Sequence, residues 1–173
     1  MSNDQQDEPM QRLWAPWRME YIEKADDTPG CIFCVKPAEQ QDRENGIVYR
    51  GKTAFIMMNA FPYNTGHLMV APYKHTADLY ELSDEEALGV SHLVRYSVRL
   101  LTAAMRPDGF NLGVDLGRPA GAGFADHVHW HVVPRWSGDT NFMSVVGDTK
   151  VLPESLEATC DKLIRKMEEL GET

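Results

Sequence analysis

The run Asp126-His127-Val128-His129-Trp130-His131-Val132-Val133 places three of the chain's six histidines at alternate positions. In an extended strand, residues i, i+2 and i+4 share one face. The three imidazoles then project together, with Val128, Trp130 and Val132 behind them. An apolar back and an imidazole front describe a strand that carries a site. Imidazole can be nucleophile, acid, base or metal ligand near neutral pH. The competing reading is a solvated polar face on an edge strand. It leaves unexplained the glycine-rich stretch that runs directly into the histidines.

Outward from this strand, the pattern sets the fold class. Ile47 to Arg50 and Thr53 to Asn59 read as two strands joined at Gly51-Lys52, a short hairpin turn. Pro62 to Gly66 is a loop, and His67 to Ala71 is a third strand closed by Pro72. Ser83-Asp84-Glu85-Glu86 is a capping box, with Ser83 as N-cap. It predicts a long helix ending near Arg106-Pro107, with Leu88, Leu93, Val94, Val98 and Leu101 as its apolar stripe. Phe110 to Leu116 is a fourth strand, Gly117 to Gly123 a loop, and His127 to Pro134 a fifth strand. A final helix is expected over about Pro153 to Leu170. The order β-β-β-α-β-β-α predicts an α+β fold with a mainly antiparallel five-stranded sheet.

At 173 residues the chain reads as one domain with a flank at each end. Residues 1–30 form an N-terminal extension, its first ten or so residues disordered. The aromatic segment Leu13 to Ile22 is expected to dock on the domain or on a second subunit. The domain itself spans 31–136. A tail containing Trp136 and Gly138 to Phe142 leads out of the domain into the C-terminal part, 137–173.

Seventeen Lys and Arg against 26 Asp and Glu give a net charge of −9. That argues against binding a nucleic-acid polymer through its backbone. Small phosphorylated ligands remain possible, held by backbone N–H groups and histidines. No apolar run is long enough to span a membrane, and Met1 to Met10 lacks the pattern of a signal peptide. A cytoplasmic location is expected. Three cysteines, an odd number, argue against a disulfide framework. Cys160 reads as a small buried hydrophobe.

The stretch from Gly113 to Gly123 contains four glycines and precedes the histidines directly. Glycines let backbone N–H groups approach a ligand closely. It is neither a phosphate loop of the Gly-Lys-Ser/Thr kind nor a dinucleotide fingerprint, since a strand follows it. Alone it reads as a tight turn. Before three aligned histidines it also reads as a phosphate cradle.

This conjunction resembles the histidine triad family of nucleotide hydrolases and transferases. The His-x-His-x-His pattern followed by apolar residues is matched from His127 to Val133. Upstream, the matches are Thr53 to Asn59, then Gly66-His67-Leu68-Met69-Val70-Ala71-Pro72, then His75. The resemblance covers about residues 31–136. The Leu13 to Ile22 segment and Val133 to Phe142 look like the bacterial branch related to diadenosine tetraphosphate phosphorylases. A HIT-like fold is thereby implied.

The resemblance implies a role for each matched residue. His129 is the nucleophile, attacking an α-phosphorus through Nε2 to form a nucleotidyl-histidine intermediate. His131 contacts phosphate oxygens and steadies the developing charge. The backbone of Gly121, Ala122 and Gly123 holds the phosphates. Asn59 falls where ribose hydroxyls are bound, or is simply a turn residue at a strand end. Ile32, Phe33 and Met57 line the base pocket, or are plain core. Asp115 stands where many relatives have Asn, and its carboxylate would repel phosphate unless protonated, turned away or paired with a group such as Arg118. His67 supports the triad from behind, or is a satisfied buried histidine.

Cys31-x-x-Cys34 with His75 and His127 supplies two thiolates and two imidazoles, a common structural zinc set. With all four ligands from protein, such a metal is structural. The alternative is two buried free thiols. No organic cofactor is implied. The activity implied is cleavage of adenosine polyphosphates such as diadenosine tetraphosphate, by phosphorolysis to ADP and ATP or by water to AMP and ATP. The subgroup favours phosphate as acceptor, while His131 is more typical of hydrolases. Two other readings stand beside this: a nucleoside phosphoramidate hydrolase, and a nucleotide-binding module with little turnover. A zinc-stabilised structural protein with no ligand is a further class. The family resemblance also implies a homodimer.

Overall fold

The computed structural model describes residues 30–139 and 152–171. The expectations for Met1 to Met10, for Leu13 to Ile22 and for Asn141-Phe142 lie outside the described residues. The described chain is α+β, as the sequence pattern requires. Its five strands are β1 (Ile47–Arg50), β2 (Ala54–Met58), β3 (Leu68–Pro72), β4 (Gly109–Val114) and β5 (Trp130–Arg135). They form one sheet in the order β1-β2-β3-β5-β4, with every neighbouring pair antiparallel. Three α-helices accompany it among the described residues: α1 (Ile32–Ala38), α2 (Asp84–Met105) and α3 (Leu156–Glu169).

Local chemistry sets these elements. The β1–β2 hairpin closes with the Gly51 N–H donating to the Ala54 carbonyl at 2.8 Å. A register shift between Ile47 and Tyr49 bends β1. At the start of α2 the Ser83 hydroxyl accepts from the Glu86 N–H at 3.3 Å, and the Glu86 carboxylate accepts from the Ser83 N–H at 2.8 Å. Two otherwise unsatisfied helix N–H groups find partners this way. The helix stops at Arg106, which takes a left-handed conformation (φ 51°).

Helix α2 packs through Val90, Leu93, Ser97, Leu100 and Leu101. Leu88, expected in its apolar stripe, is 57% exposed. It lies roughly 140° around the helix from Leu93, on the solvent side.

Strands β2 and β3 are buried on both faces, which is why they read as continuous apolar runs. Ile56, Leu68, Val70 and Val132 face a core shared with α2 and α3. The alternate residues Phe55, Met57, Met69 and Ala71 pack with Ile47 and Phe33 in a second cluster. Phe33, on α1, therefore covers the face from which the histidines project. Among the described residues β4 lies at one edge of the sheet, with β1 at the other, and Leu112 on β4 is 53% exposed. No helix among the described residues is long and apolar enough to cross a membrane.

Candidate functional site: the histidine face and the Cys/His cluster

The fifth strand, expected from His127, begins at Trp130. Its register explains the late start. Trp130 pairs with Val70 and His131 with Met69, so Val128 would come opposite Pro72. Proline has no N–H to give the ladder. The Val128 N–H instead donates to the Thr76 carbonyl at 2.7 Å. Alternation survives this break. The rings of His129 and His131 lie 4.9 Å apart, and Phe33 contacts both His127 (5.2 Å) and His129 (4.5 Å). The three imidazoles share the face that Phe33 covers.

Each histidine has a distinct partner. His127 is buried, and its Nε2 lies 2.9 Å from the Pro72 carbonyl. That carbonyl can only accept, so Nε2 carries the hydrogen and Nδ1 keeps its lone pair. His129 Nδ1 lies 2.9 Å from the His127 carbonyl, so there Nδ1 carries the hydrogen and Nε2 keeps the lone pair. His131 Nδ1 lies 2.9 Å from His67 Nε2, and His131 Nε2 lies 3.9 Å from Asp115 Oδ2.

Burial keeps His129 and His67 uncharged. It pushes His129 down to about 4, opposed by the hydrogen bond to the His127 carbonyl. It pushes His67 down to about 3, with repulsion from His131 and His129 acting the same way. A neutral imidazole with a free Nε2 is the nucleophilic form.

The other sequence-predicted residues divide into several groups. Phe33 and Met57 are sealed in the second core cluster at 1% exposure each. Phe33 buttresses His129, while Ile32 is only partly buried at the margin of the same cluster. Asn59 caps the turn after β2, its Oδ1 accepting from the Phe61 N–H at 2.8 Å. Its Nδ2 faces His67 Nδ1 at 3.4 Å. In the glycine-rich loop, the Gly121 N–H donates to the Arg118 carbonyl (3.0 Å) and the Ala122 N–H to the Gly117 carbonyl (3.4 Å). These bonds close a tight turn over Arg118–Ala120, with Gly121 at φ 107°. Gly123 follows them on the way to His127.

Cys31, Cys34, His75 and His127 meet although they come from α1, the segment after β3 and the start of the triad. Their ligand atoms all lie within 4.8 Å of one another. Cys31 Sγ is 3.3 Å and Cys34 Sγ 3.6 Å from His127 Nδ1, and His75 Nδ1 is 3.4 Å from Cys34 Sγ and 3.2 Å from His127 Nδ1. Around a tetrahedral zinc with bonds of about 2.0 Å to nitrogen and 2.3 Å to sulfur, neighbouring ligands are roughly 3.3–3.8 Å apart. The spacing fits. So does the chemistry, since His127 Nδ1 has its lone pair free and its other nitrogen is anchored on Pro72, the arrangement expected of a metal-bound imidazole. Burial pushes the Cys31 thiol up to about 11. Two thiolates this close are favourable at neutral pH when a divalent cation offsets their charge.

The loop Pro62 to Gly66 was expected, but the role of Tyr63 within it was not. The Tyr63 N–H donates to His67 Nδ1 at 3.1 Å, and the Tyr63 ring stacks on His67 at 4.8 Å. The short spacing from Tyr63 to Gly66-His67 was its only trace in the sequence. The carbonyls of Pro72 and Thr76 were equally invisible, because any residue type supplies them.

The sequence profile of the HIT domain matches residues 40–138. An AP-4-A phosphorylase of Mycobacterium tuberculosis is 40% identical over 157 residues, covering 87% of this chain and 80% of that protein. The adenosine 5'-monophosphoramidase hnt1 of Schizosaccharomyces pombe is 28% identical over 138 residues, 80% of this chain and 92% of that one. Among solved structures, a zinc-bound histidine triad family protein from Mycobacterium smegmatis shares the fold at a TM-score of 0.60 and 20% identity. It covers 88% of this chain and 94% of its own.

Proposed function

The chain belongs to the HIT domain family, and from its site we propose that it is a nucleotidyl transferase cleaving adenosine polyphosphates, such as diadenosine tetraphosphate, by phosphorolysis. The observation that carries this reading is the 2.9 Å contact between His129 Nδ1 and the His127 carbonyl. It leaves Nε2 as the single attacking atom of a buried, neutral imidazole. Nε2 attacks the α-phosphorus, and the bond to the bridging oxygen breaks. The developing positive charge on the His129 ring is eased by its Nδ1–H and the carbonyl it faces. A second displacement transfers the nucleotidyl group to phosphate and restores the lone pair to Nε2. Splitting one displacement into two is the gain of covalent catalysis. His131 donates to a phosphate oxygen. The 40% identity to an AP-4-A phosphorylase over most of both chains favours this substrate and acceptor.

Cys31, Cys34, His75 and His127 would hold a structural zinc, which tethers α1 to the sheet and leaves no coordination position open for substrate. The chain acts as a homodimer in this reading, supported by the position of β4 at a sheet edge among the described residues and by its exposed Leu112. Size-exclusion chromatography with light scattering tests it, and a monomer at micromolar concentration would contradict it.

For the reaction, the pure protein is incubated with diadenosine tetraphosphate with and without inorganic phosphate. ADP plus ATP formed only with phosphate is the expected result. AMP plus ATP in both cases would make it a hydrolase. Faster turnover of an adenosine phosphoramidate would favour the activity that the name of hnt1 describes.

A further inference from the structure

Cys31 and Cys34 enclose the first turn of α1. The Cys34 N–H donates to the Cys31 carbonyl at 2.9 Å, and helical spacing sets the two Cα atoms about 5 Å apart. That lies inside the window of about 4.4–6.8 Å that a disulfide spans. Their sulfurs lie within 4.8 Å of each other. His75, 3.4 Å from Cys34 Sγ, is exposed, so solvent reaches the cluster on that side. The third thiol of the chain does not compete. Cys160 is buried in the core that Leu68, Val70 and Val132 share with α2 and α3, whereas Cys31 packs against the cluster on the opposite face of the sheet.

We propose that Cys31 and Cys34 are a modification site for hydroperoxides, which join them as a disulfide and thereby switch off the histidine site. The effect on turnover rests on the nucleotidyl-transfer reading above, and the modification itself does not. The Cys34 thiolate attacks the terminal oxygen of the hydroperoxide, the O–O bond breaks, and the departing oxygen takes a proton from solvent. The Cys31 thiolate then attacks the sulfenic acid left on Cys34, forming the S–S bond and releasing hydroxide, which is protonated to water. Two electrons pass from the two sulfurs to the peroxide, and the products are an alcohol and water. A dithiol reverses the change by thiol–disulfide exchange.

Both sulfurs are thereby lost as ligands. His75 and His127 remain, and two imidazoles do not fill the four positions of a structural zinc site. The His127 ring then keeps the Pro72 carbonyl as its polar anchor and loses the metal on its other side. Phe33 carries the change further. It lies between the two cysteines in the chain, and its ring meets those of His127 at 5.2 Å and His129 at 4.5 Å. A disulfide that redraws the Cys31–Cys34 turn moves Phe33 against the imidazole proposed as nucleophile. The His127 carbonyl, 2.9 Å from His129 Nδ1, shifts with its own residue. The side chain of Phe33 and the backbone of His127 thus reach the same ring.

The test treats the full-length, zinc-loaded protein with a small excess of hydrogen peroxide. Released zinc is read with a chromogenic chelator, free thiols are counted after unfolding, and the peptide carrying Cys31 and Cys34 is weighed. The expected result is release of the zinc, a thiol count falling from three to one, and a peptide lighter by two hydrogens. Turnover of diadenosine tetraphosphate should fall by about 10- to 100-fold, as when the support of a metal site is lost, and return with a dithiol and zinc. Cys160→Ala should respond in the same way. Zinc and thiols retained under peroxide would overturn the proposal, and so would a Cys160→Ala protein that resists oxidation. A disulfide formed with turnover unchanged would overturn the switch. If the untreated protein turns nothing over, the functional reading fails by itself. The proposal is then decided by 15N–1H NMR of the His129 ring before and after oxidation: moved resonances support it, and unmoved ones overturn it.

Discussion

The His127 carbonyl lies 2.9 Å from His129 Nδ1, so the residue whose ring enters the Cys/His cluster also orients, with its backbone, the imidazole proposed as nucleophile. Two centres that the sequence presents as alternate letters are one mechanical unit. The ring of His127 is fixed by Pro72 on one side and by the cluster on the other. Anything that loosens the cluster therefore reaches the His129 ring.

Removal of the metal should cost both stability and rate. Zinc at about 1,000 times its Kd adds about 4 kcal/mol. Chelation is then expected to lower Tm by roughly 10 °C and to slow turnover. Metal analysis of the purified protein should give one zinc per chain, and Cys34→Ser should reproduce the loss of Tm. A metal-free protein with unchanged melting would refute a structural zinc.

His129→Asn should lower turnover by more than about 1,000-fold, because a residue acting as covalent nucleophile has no partial substitute. Binding of AMP, measured by calorimetry, should persist within a few-fold. Surviving turnover would mean that another atom attacks.

Stability should fall with acid. His67 and His129 are held at about 3 and 4 by burial, against an ordinary value near 6.5 in the unfolded chain. Below pH 6.5 the unfolded state therefore binds more protons than the native state. Their contribution is complete above that pH and is lost as pH falls towards 4. Urea midpoints measured between pH 7.5 and pH 4.5 should decline over this window, and less so in His67→Leu than in the wild type.

Gly66 holds φ at +81° immediately before His67, and a Cβ there would come 2.8 Å from Met105 Sδ and 3.1 Å from Leu101 Cδ2. Gly66→Ala should cost about 2 kcal/mol from backbone strain and overpacking, lowering Tm by roughly 5 °C. Because His67 follows directly, kcat should fall as well. Unaltered kinetics with lowered Tm would separate the loop's geometry from catalysis.

Asp115→Asn should lower KM for a polyphosphate several-fold, since a carboxylate 3.9 Å from His131 Nε2 would repel an anion bound beside that ring. The effect should shrink in high salt. An unchanged KM would mean that the carboxylate turns away when substrate binds.

Much of the fold was legible because its signals are local. The Ser83–Glu86 capping box, the Gly51-Lys52 turn and the apolar runs of β2 and β3 each declare themselves within a few residues. The meeting of Cys31 and Cys34 with His75 and His127 was readable from residue chemistry. The late start of β5 was not, because it depends on which residue Pro72 comes to face across the sheet. Leu88 misled because apolar spacing alone does not say which side of α2 meets the sheet. The pairing of His67 Nε2 with His131 Nδ1 was beyond reach, since it joins residues 64 positions apart in the chain.

Covalent transfer through His129 is tested by rapid quench of the zinc-loaded protein with diadenosine tetraphosphate, followed by peptide mapping and product separation. An adenylylated peptide modified at His129, cleared by added phosphate with release of ADP, is expected. AMP and ATP released at the same rate with or without phosphate, and no modified His129 at any time, would contradict it.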